Sequence, residues 1–210
     1  MSLKRFVIGF GAVVALAAGP AAAQQGEFDG ASFTCLQYTS GQGENSSGKA
    51  QAGLAKLWMM GYLAGYYKAK GNLEIVDDAA ADEKLSSTIL SKCREYPQTS
   101  ILTVSMQAIA SDARKLPAMA SADFNPQSYT CGNHVDAKAG SAAETMKADL
   151  ADLWAFAFIQ GFKNVGQPDM VIPLENKPVL TGAVTKNCEK NRDTAYFDLT
   201  AMVAQAVKLQ

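Results

Sequence analysis

The chain contains one pattern twice, and that duplication limits what it can fold into. Phe33-Thr34-Cys35 matches Tyr129-Thr130-Cys131. Twenty-three residues after each cysteine comes a tryptophan, Trp58 and then Trp154, the two tryptophans of the chain. LWMMGYLAGYYKAKGN, starting at Leu57, returns as LWAFAFIQGFKNVGQP, starting at Leu153. Leu57, Trp58, Tyr62, Gly65 and Tyr66 correspond to Leu153, Trp154, Phe158, Gly161 and Phe162 at an offset of 96. After one deletion the offset is 95, and Leu85, Ile89 and Cys93 match Leu180, Val184 and Cys188. Ile101, Val104 and Ala108 then match Tyr196, Leu199 and Val203. The chain reads as a tandem duplication of a unit of roughly 85 residues, too few copies for a solenoid, which needs at least three.

Four cysteines permit three disulfide pairings. Cys35 and Cys93 lie 58 residues apart and Cys131 and Cys188 lie 57 apart, so the near-equal spacing favours Cys35–Cys93 and Cys131–Cys188, one bridge per copy. No pair has the close spacing of a zinc or redox motif. Bridges also fit the N-terminus. Lys4 and Arg5 precede an apolar run that ends in Ala21-Ala22-Ala23, the layout of a secretory signal peptide. Residues 1–23 read as that signal, cleaved after Ala23 and directing the chain to the periplasm, where disulfides persist. The short apolar run, ended by Pro20, argues against a spanning helix.

Removing Lys4 and Arg5 takes the 19 basic residues to 17 against 20 acidic ones, a mature net charge of about −3. That near-balance leaves no basic footprint for nucleic acid or anionic lipid. Between the copies, DARKLPAMASADFNPQS (112–128) carries Pro117 and Pro126 and reads as a loop. The expected division is 24–119 and 120–210, with the boundary near Ala120.

Each copy has helical periodicity. Leu54, Leu57, Trp58, Gly61, Tyr62, Gly65 and Tyr66 step by three and four, as do Leu150, Leu153, Trp154, Ala157, Phe158, Gly161 and Phe162. A second helix carries Leu85, Ile89 and Cys93, matched by Leu180, Val184 and Cys188 with Pro178 in the first turn. A third runs from about Thr99 to Ala113, matched by one from an Asp193 N-cap towards Lys208. Ser141 and Glu144 form a possible capping box, and Gly71 and Gly166 lie where chain reversals are expected. No convincing alternating strand is present. The expected fold is all-α: two tandem small helical bundles, each closed by one disulfide, with a short helix or turn possible at each first cysteine.

The Gly61/Gly65 pair and its Ala157/Gly161 counterpart would let another helix backbone approach closely, here inside a bundle rather than a membrane. No stable membrane insertion is expected, because charged residues flank the first stripe and Gln160 and Lys163 interrupt the second. The candidate protein-binding or packing face comprises Trp58, Met59, Met60, Tyr62, Tyr66, Trp154, Phe156, Phe158 and Phe162. Of these, Met59, Met60 and Phe156, together with Ala155, fall off the stripe and are candidates for exposure on a pliable binding surface.

Catalytic signals are poor. His134, the single histidine, has Tyr38 as its counterpart, and a Cys131–His134 dyad would need a free thiol. Asp77-Asp78 reads as helix-start capping rather than a cation site, and the glycines of SGQGENSSGK lack phosphate-loop spacing. We expect no enzyme activity, no catalytic or metal-ligating residue and no cofactor.

The Thr-Cys opening, the Trp-containing apolar helix, the second cysteine and the final helix together resemble the HdeA/HdeB family of periplasmic acid-stress chaperones. Thr34-Cys35 and Thr130-Cys131 match its opening, and Cys93 and Cys188 its second cysteine. The resemblance implies a protein that is folded and inactive near neutral pH. In acid it would expose apolar surface and hold unfolding periplasmic proteins. Best-known members have one such unit and dimerise, so two linked units imply an intramolecular pseudo-dimer. Protonating 20 carboxylates would move the mature chain from about −3 to roughly +17, a self-repulsion that loosens compact states. Gly61-Tyr62 and Gly65 also resemble Tai-type immunity proteins, which neutralise secreted toxins; Ala157 departs from that pattern. That resemblance implies the alternative, a periplasmic protein with one specific protein partner.

Overall fold

A computed structural model describes residues 27–43, 46–76, 79–109, 115–117 and 124–208. Residues 1–23, read above as a signal peptide, the Asp77-Asp78 pair and the expected boundary at Ala120 lie outside the described residues. The first copy folds as α1 (Cys35–Gly41), α2 (Ser46–Lys70), β1 (Glu74–Val76), α3 (Ala79–Glu95), α4 (Ile101–Ile109) and β2 (Lys115–Pro117). The second folds as α5 (Cys131–Lys138), α6 (Ala142–Asn164), α7 (Lys177–Lys190) and α8 (Tyr196–Ala206), with a single 3-10 turn at Leu174–Asn176 before α7. The all-α reading holds, with one short strand pair added to it.

Both copies start in the same way. The Thr34 N–H donates to Gln37 Oε1 at 2.7 Å while the Gln37 N–H donates back to Thr34 Oγ1 at 3.3 Å. Thr130 and Asn133 repeat the exchange at 3.0 and 3.1 Å. Each capping box satisfies two amides that a short helix would otherwise leave orphaned. Just before the helix, the chain crosses the start of the copy's last helix. The Cys35 N–H donates to the Thr99 carbonyl at 2.8 Å and the Ile101 N–H to the Phe33 carbonyl at 2.9 Å. The corresponding bonds, Cys131 to Thr194 and Tyr196 to Tyr129, are 2.9 and 2.8 Å. The disulfides are Cys35–Cys93 and Cys131–Cys188, with Cα–Cα distances of 4.7 and 4.6 Å, and all four cysteines are fully buried. Each bridge ties the first short helix to the end of the third.

Two boundaries differ from expectation. α8 starts at Tyr196 with Ala195 as its N-cap, so Asp193 lies in the preceding turn. The Thr194 and Tyr196 backbone groups are taken by the crossing to residues 129–131, which postpones the helix. α4 begins at Ile101, where the Ser100 side chain accepts from the Thr103 N–H at 3.2 Å. Pro178 occupies the first turn of α7 as expected, Ser141 and Glu144 form the capping box of α6, and Gly71 ends α2 with φ +70°.

β1 and β2 pair in parallel, with Ile75 opposite Leu116, and β2 packs on α2 and α3. Among the described residues, no strand lies beside the segment after α6 in the second copy. A side chain serves instead: Gln160 Nε2 donates to the Met170 carbonyl at 2.7 Å, and Gln160 Oε1 accepts from the Ile172 N–H at 2.6 Å. A parallel neighbour would offer the same donor and acceptor to residues i and i+2. The counterpart of Gln160 is the buried Ala64, which has no amide to offer, and the first copy uses a backbone strand.

Candidate functional site

The two stripe helices face each other. α2 and α6 pack together along their length, and the apolar core is one cluster that runs through both copies. A Cβ placed on Gly61 would come 2.5 Å from the Trp154 carbonyl oxygen, and one on Gly65 would overlap the carbonyl of Phe158. A Cβ on Gly161 would overlap the carbonyl of Tyr62. Tyr62 and Phe158 are repeat counterparts, as are Gly65 and Gly161, so each copy presents to the other the same glycine against the same carbonyl. This is the reciprocity of a two-fold interface, built within one chain. The contacts advance together, Gly61 with Trp154 and Gly65 with Phe158, so the helices run in the same direction. Close approach is possible because glycine has no Cβ to hold the backbones apart.

The packing explains where the candidate face lies. Trp58, Met59, Met60 and Tyr62 are buried, as are Trp154, Phe156 and Phe158, while Tyr66 and Phe162 are partly covered. Met59, Met60, Ala155 and Phe156, which a one-stripe helix would leave to solvent, are also buried. One side of each helix meets its own copy and the other side meets the opposite copy, the situation in which a helix is apolar all round. Trp58 stacks on Tyr62 with ring centroids 5.6 Å apart, and Trp154 packs on Phe158 at 5.1 Å. Burial raises the Tyr62 phenol well above its ordinary pKa. At the rim of the interface, Lys68 lies 5.1 Å over the Phe197 ring and 3.8 Å from Asp198, and Lys177 pairs with Glu27 at 2.7 Å.

The second copy holds a feature that its twin lacks. His134 is 0% exposed and Asp152 is 6% exposed. The Thr185 hydroxyl donates to the Thr181 carbonyl at 3.0 Å, so its oxygen is left to accept from His134 Nε2–H, also at 3.0 Å. That fixes the tautomer and leaves His134 Nδ1 as a bare acceptor, buried and without a hydrogen-bond partner. Asp152 Oδ1 is 3.5 Å from His134 Nε2, and the Tyr196 hydroxyl donates to the same oxygen at 3.4 Å. Lys138 donates to the other oxygen, Oδ2. Burial pushes His134 down from 6.5 to about 4; the Asp152 charge opposes that shift and Lys138 adds to it. Burial, then Asp152, also pushes the Tyr129 phenol up to about 12 and raises Tyr196.

Beside this cluster an open cleft of about 1160 Å³ runs between α6 and α7, with Lys138, Asp152, Thr181 and Thr185 on its wall. Phe28 and Leu54 of the first copy also line it. In the first copy the counterparts of His134, Asp152, Thr185 and Tyr196 are Tyr38, Lys56, Leu90 and Ile101. These cluster residues were not singled out as a group by sequence spacing, because they come from four different elements. The polarity differences between the repeats are the signal that could have found them. The bridged Cys131 has no free thiol, and His134 sits beside Asp152 and Thr185.

Fold and site together define a duplicated, disulfide-closed helical protein whose two copies cover each other's apolar face. No family model, no curated protein and no solved structure matches the chain. Among the described residues no helix is long and apolar enough to cross a membrane, and no group of three or more His, Cys, Asp or Glu side chains could hold a metal ion.

Proposed function

We propose that this protein is a periplasmic acid-stress chaperone of the HdeA/HdeB type, closed near neutral pH and opened in acid to hold unfolding proteins on its apolar surface. The observation that carries this reading is the mutual burial of α2 and α6. An apolar face of each copy is covered by the other copy, and no disulfide crosses between the copies. Parting the halves therefore uncovers aromatic surface without breaking a covalent bond. The buried His134 supports the acid response, because a histidine held neutral in the interior favours opened states as the pH falls. An aggregation assay with an acid-labile client at pH 3 and pH 7 tests the function. Protection confined to acid is the expected result, and no protection at either pH refutes it.

A second reading, a binding protein for one defined partner such as a secreted toxin, draws on the cleft of the second copy. Met146 on its wall is 64% exposed, and Val179, next to the lining residue Pro178, is 71% exposed. It requires a single stoichiometric partner recovered at pH 7.

A further inference from the structure

We infer that acid opens the two copies unequally: the second copy loosens first, around His134, while the first keeps its fold and presents the Gly61–Gly65 face of α2 as the binding surface. The inference deepens the acid-chaperone reading and rests on it for the use made of that surface.

Among the described residues, His134 and Asp152 are the buried histidine and the buried carboxylate, and both lie in the second copy. The buried interior of the first copy has Tyr38 where the second has His134, and a phenol gains no charge in acid. The groups facing His134 come from every element around it. Asp152 on α6 lies 3.5 Å from Nε2, and the Thr185 hydroxyl on α7 accepts a hydrogen bond from Nε2–H. The Tyr196 ring on α8 is 4.7 Å away and the Tyr129 ring 6.2 Å, centroid to centroid. Lys138, on the same helix as His134, holds Asp152 and lies 3.9 Å from Asp149.

A proton taken up at Nδ1 has no acceptor waiting for it, since that atom is buried and unpartnered. The one nearby carboxylate, Asp152, is already shared by Lys138 and Tyr196. The imidazolium is therefore accommodated best by water, which reaches it only when α5 moves from α6, α7 and α8. The low pKa of His134 agrees with this geometry. α5 cannot drift away, because Cys131 in its first turn is bridged to Cys188 in α7. The loosened copy stays compact and tethered, while α6 loses the support that holds it against α2.

The chain supplies its own reporters, one tryptophan in the core of each copy. Trp58→Phe leaves Trp154 to report the second copy, and Trp154→Phe leaves Trp58 to report the first. Emission is followed from pH 7 to pH 2 with the disulfides intact. The Trp154 signal is expected to shift to the red at a pH higher by about one unit or more than the Trp58 signal. His134→Tyr, which installs the residue of the first copy, is expected to bring the two midpoints together. Coincident midpoints in the parent proteins, or a gap that survives His134→Tyr, overturn the inference. Hydrogen exchange on the unaltered chain gives the same comparison without substitutions: faster exchange at pH 4 in α5–α8 than in α1–α4 supports it, and equal acceleration refutes it. Unequal opening without client protection would refute the chaperone reading alone, and client protection with simultaneous opening would refute this inference alone.

Discussion

Gly65 lies against the backbone carbonyl of Phe158, and a single added carbon would overlap it. Gly161 stands in the same relation to Tyr62. These two contacts set the distance between the copies, and they make substitutions there unlike substitutions at other glycines.

Gly65→Ala and Gly161→Ala should each push α2 and α6 apart and destabilise the protein by about 1–3 kcal/mol, the usual cost of overfilling a packed site. Gly53, in the same helix, has nothing within 4 Å of an added Cβ. Gly53→Ala should be stabilising by roughly 0.5–1 kcal/mol through helix propensity. Urea denaturation at pH 7 measures all three, and equal effects at Gly53 and Gly65 would contradict the interface.

The pH dependence of His134 has a definite sign. Its folded pKa of about 4 lies below the ordinary 6.5, so the unfolded chain binds the extra proton between those values. Its contribution is fully present above pH 6.5 and is lost as the pH falls through 4, a loss on the order of 3 kcal/mol. His134→Phe should flatten the stability profile between pH 6.5 and 4 relative to the parent. Denaturant titrations at pH 7, 5.5 and 4 provide the comparison.

Gln160→Leu keeps the bulk of the side chain but removes the amide that serves as a strand. The buried Ile172 N–H would lose its acceptor, while Asn164 still donates to the Met170 carbonyl at 2.8 Å. The expected cost is about 1–3 kcal/mol, that of a buried donor left unsatisfied. Amide exchange at Ile172 should quicken well beyond that at Phe158. Unchanged protection there would show that the side-chain amide is dispensable.

Replacing Cys131 and Cys188 together by alanine should cost about 4 kcal/mol in the chain-entropy account of a loop of this length. The same replacement of Cys35 and Cys93 should cost a similar amount. The acid midpoint reported by Trp154 should rise only for the first pair. A rise of equal size for both pairs would mean that the copies do not respond separately.

Much of this architecture was legible because large residues and cysteines recur at fixed offsets. Thr34 and Thr130 and the two disulfides follow from that recurrence, while at each first cysteine it allowed a short helix or a turn, and a helix is what forms. What covers the stripes was less legible. Periodicity reports one apolar face, whereas Met59, Met60 and Phe156, which lie off that face, are buried as well. Gln160 reads as a polar interruption of an apolar helix, yet it is buried and answers the backbone at Met170 and Ile172. β1 and β2 are too short to show alternation, since each has three residues. The cluster around His134 draws on residues from 129 to 196, and only a comparison of the copies, Tyr38 against His134 or Lys56 against Asp152, points towards it.

Each sulfur bridge closes within its own copy. The covalent connections of the molecule are therefore the same whether its halves are together or apart. In an oxidising compartment that protects both bridges, the seam between α2 and α6 would rest on non-covalent forces alone, and any parting of the copies would need no thiol chemistry.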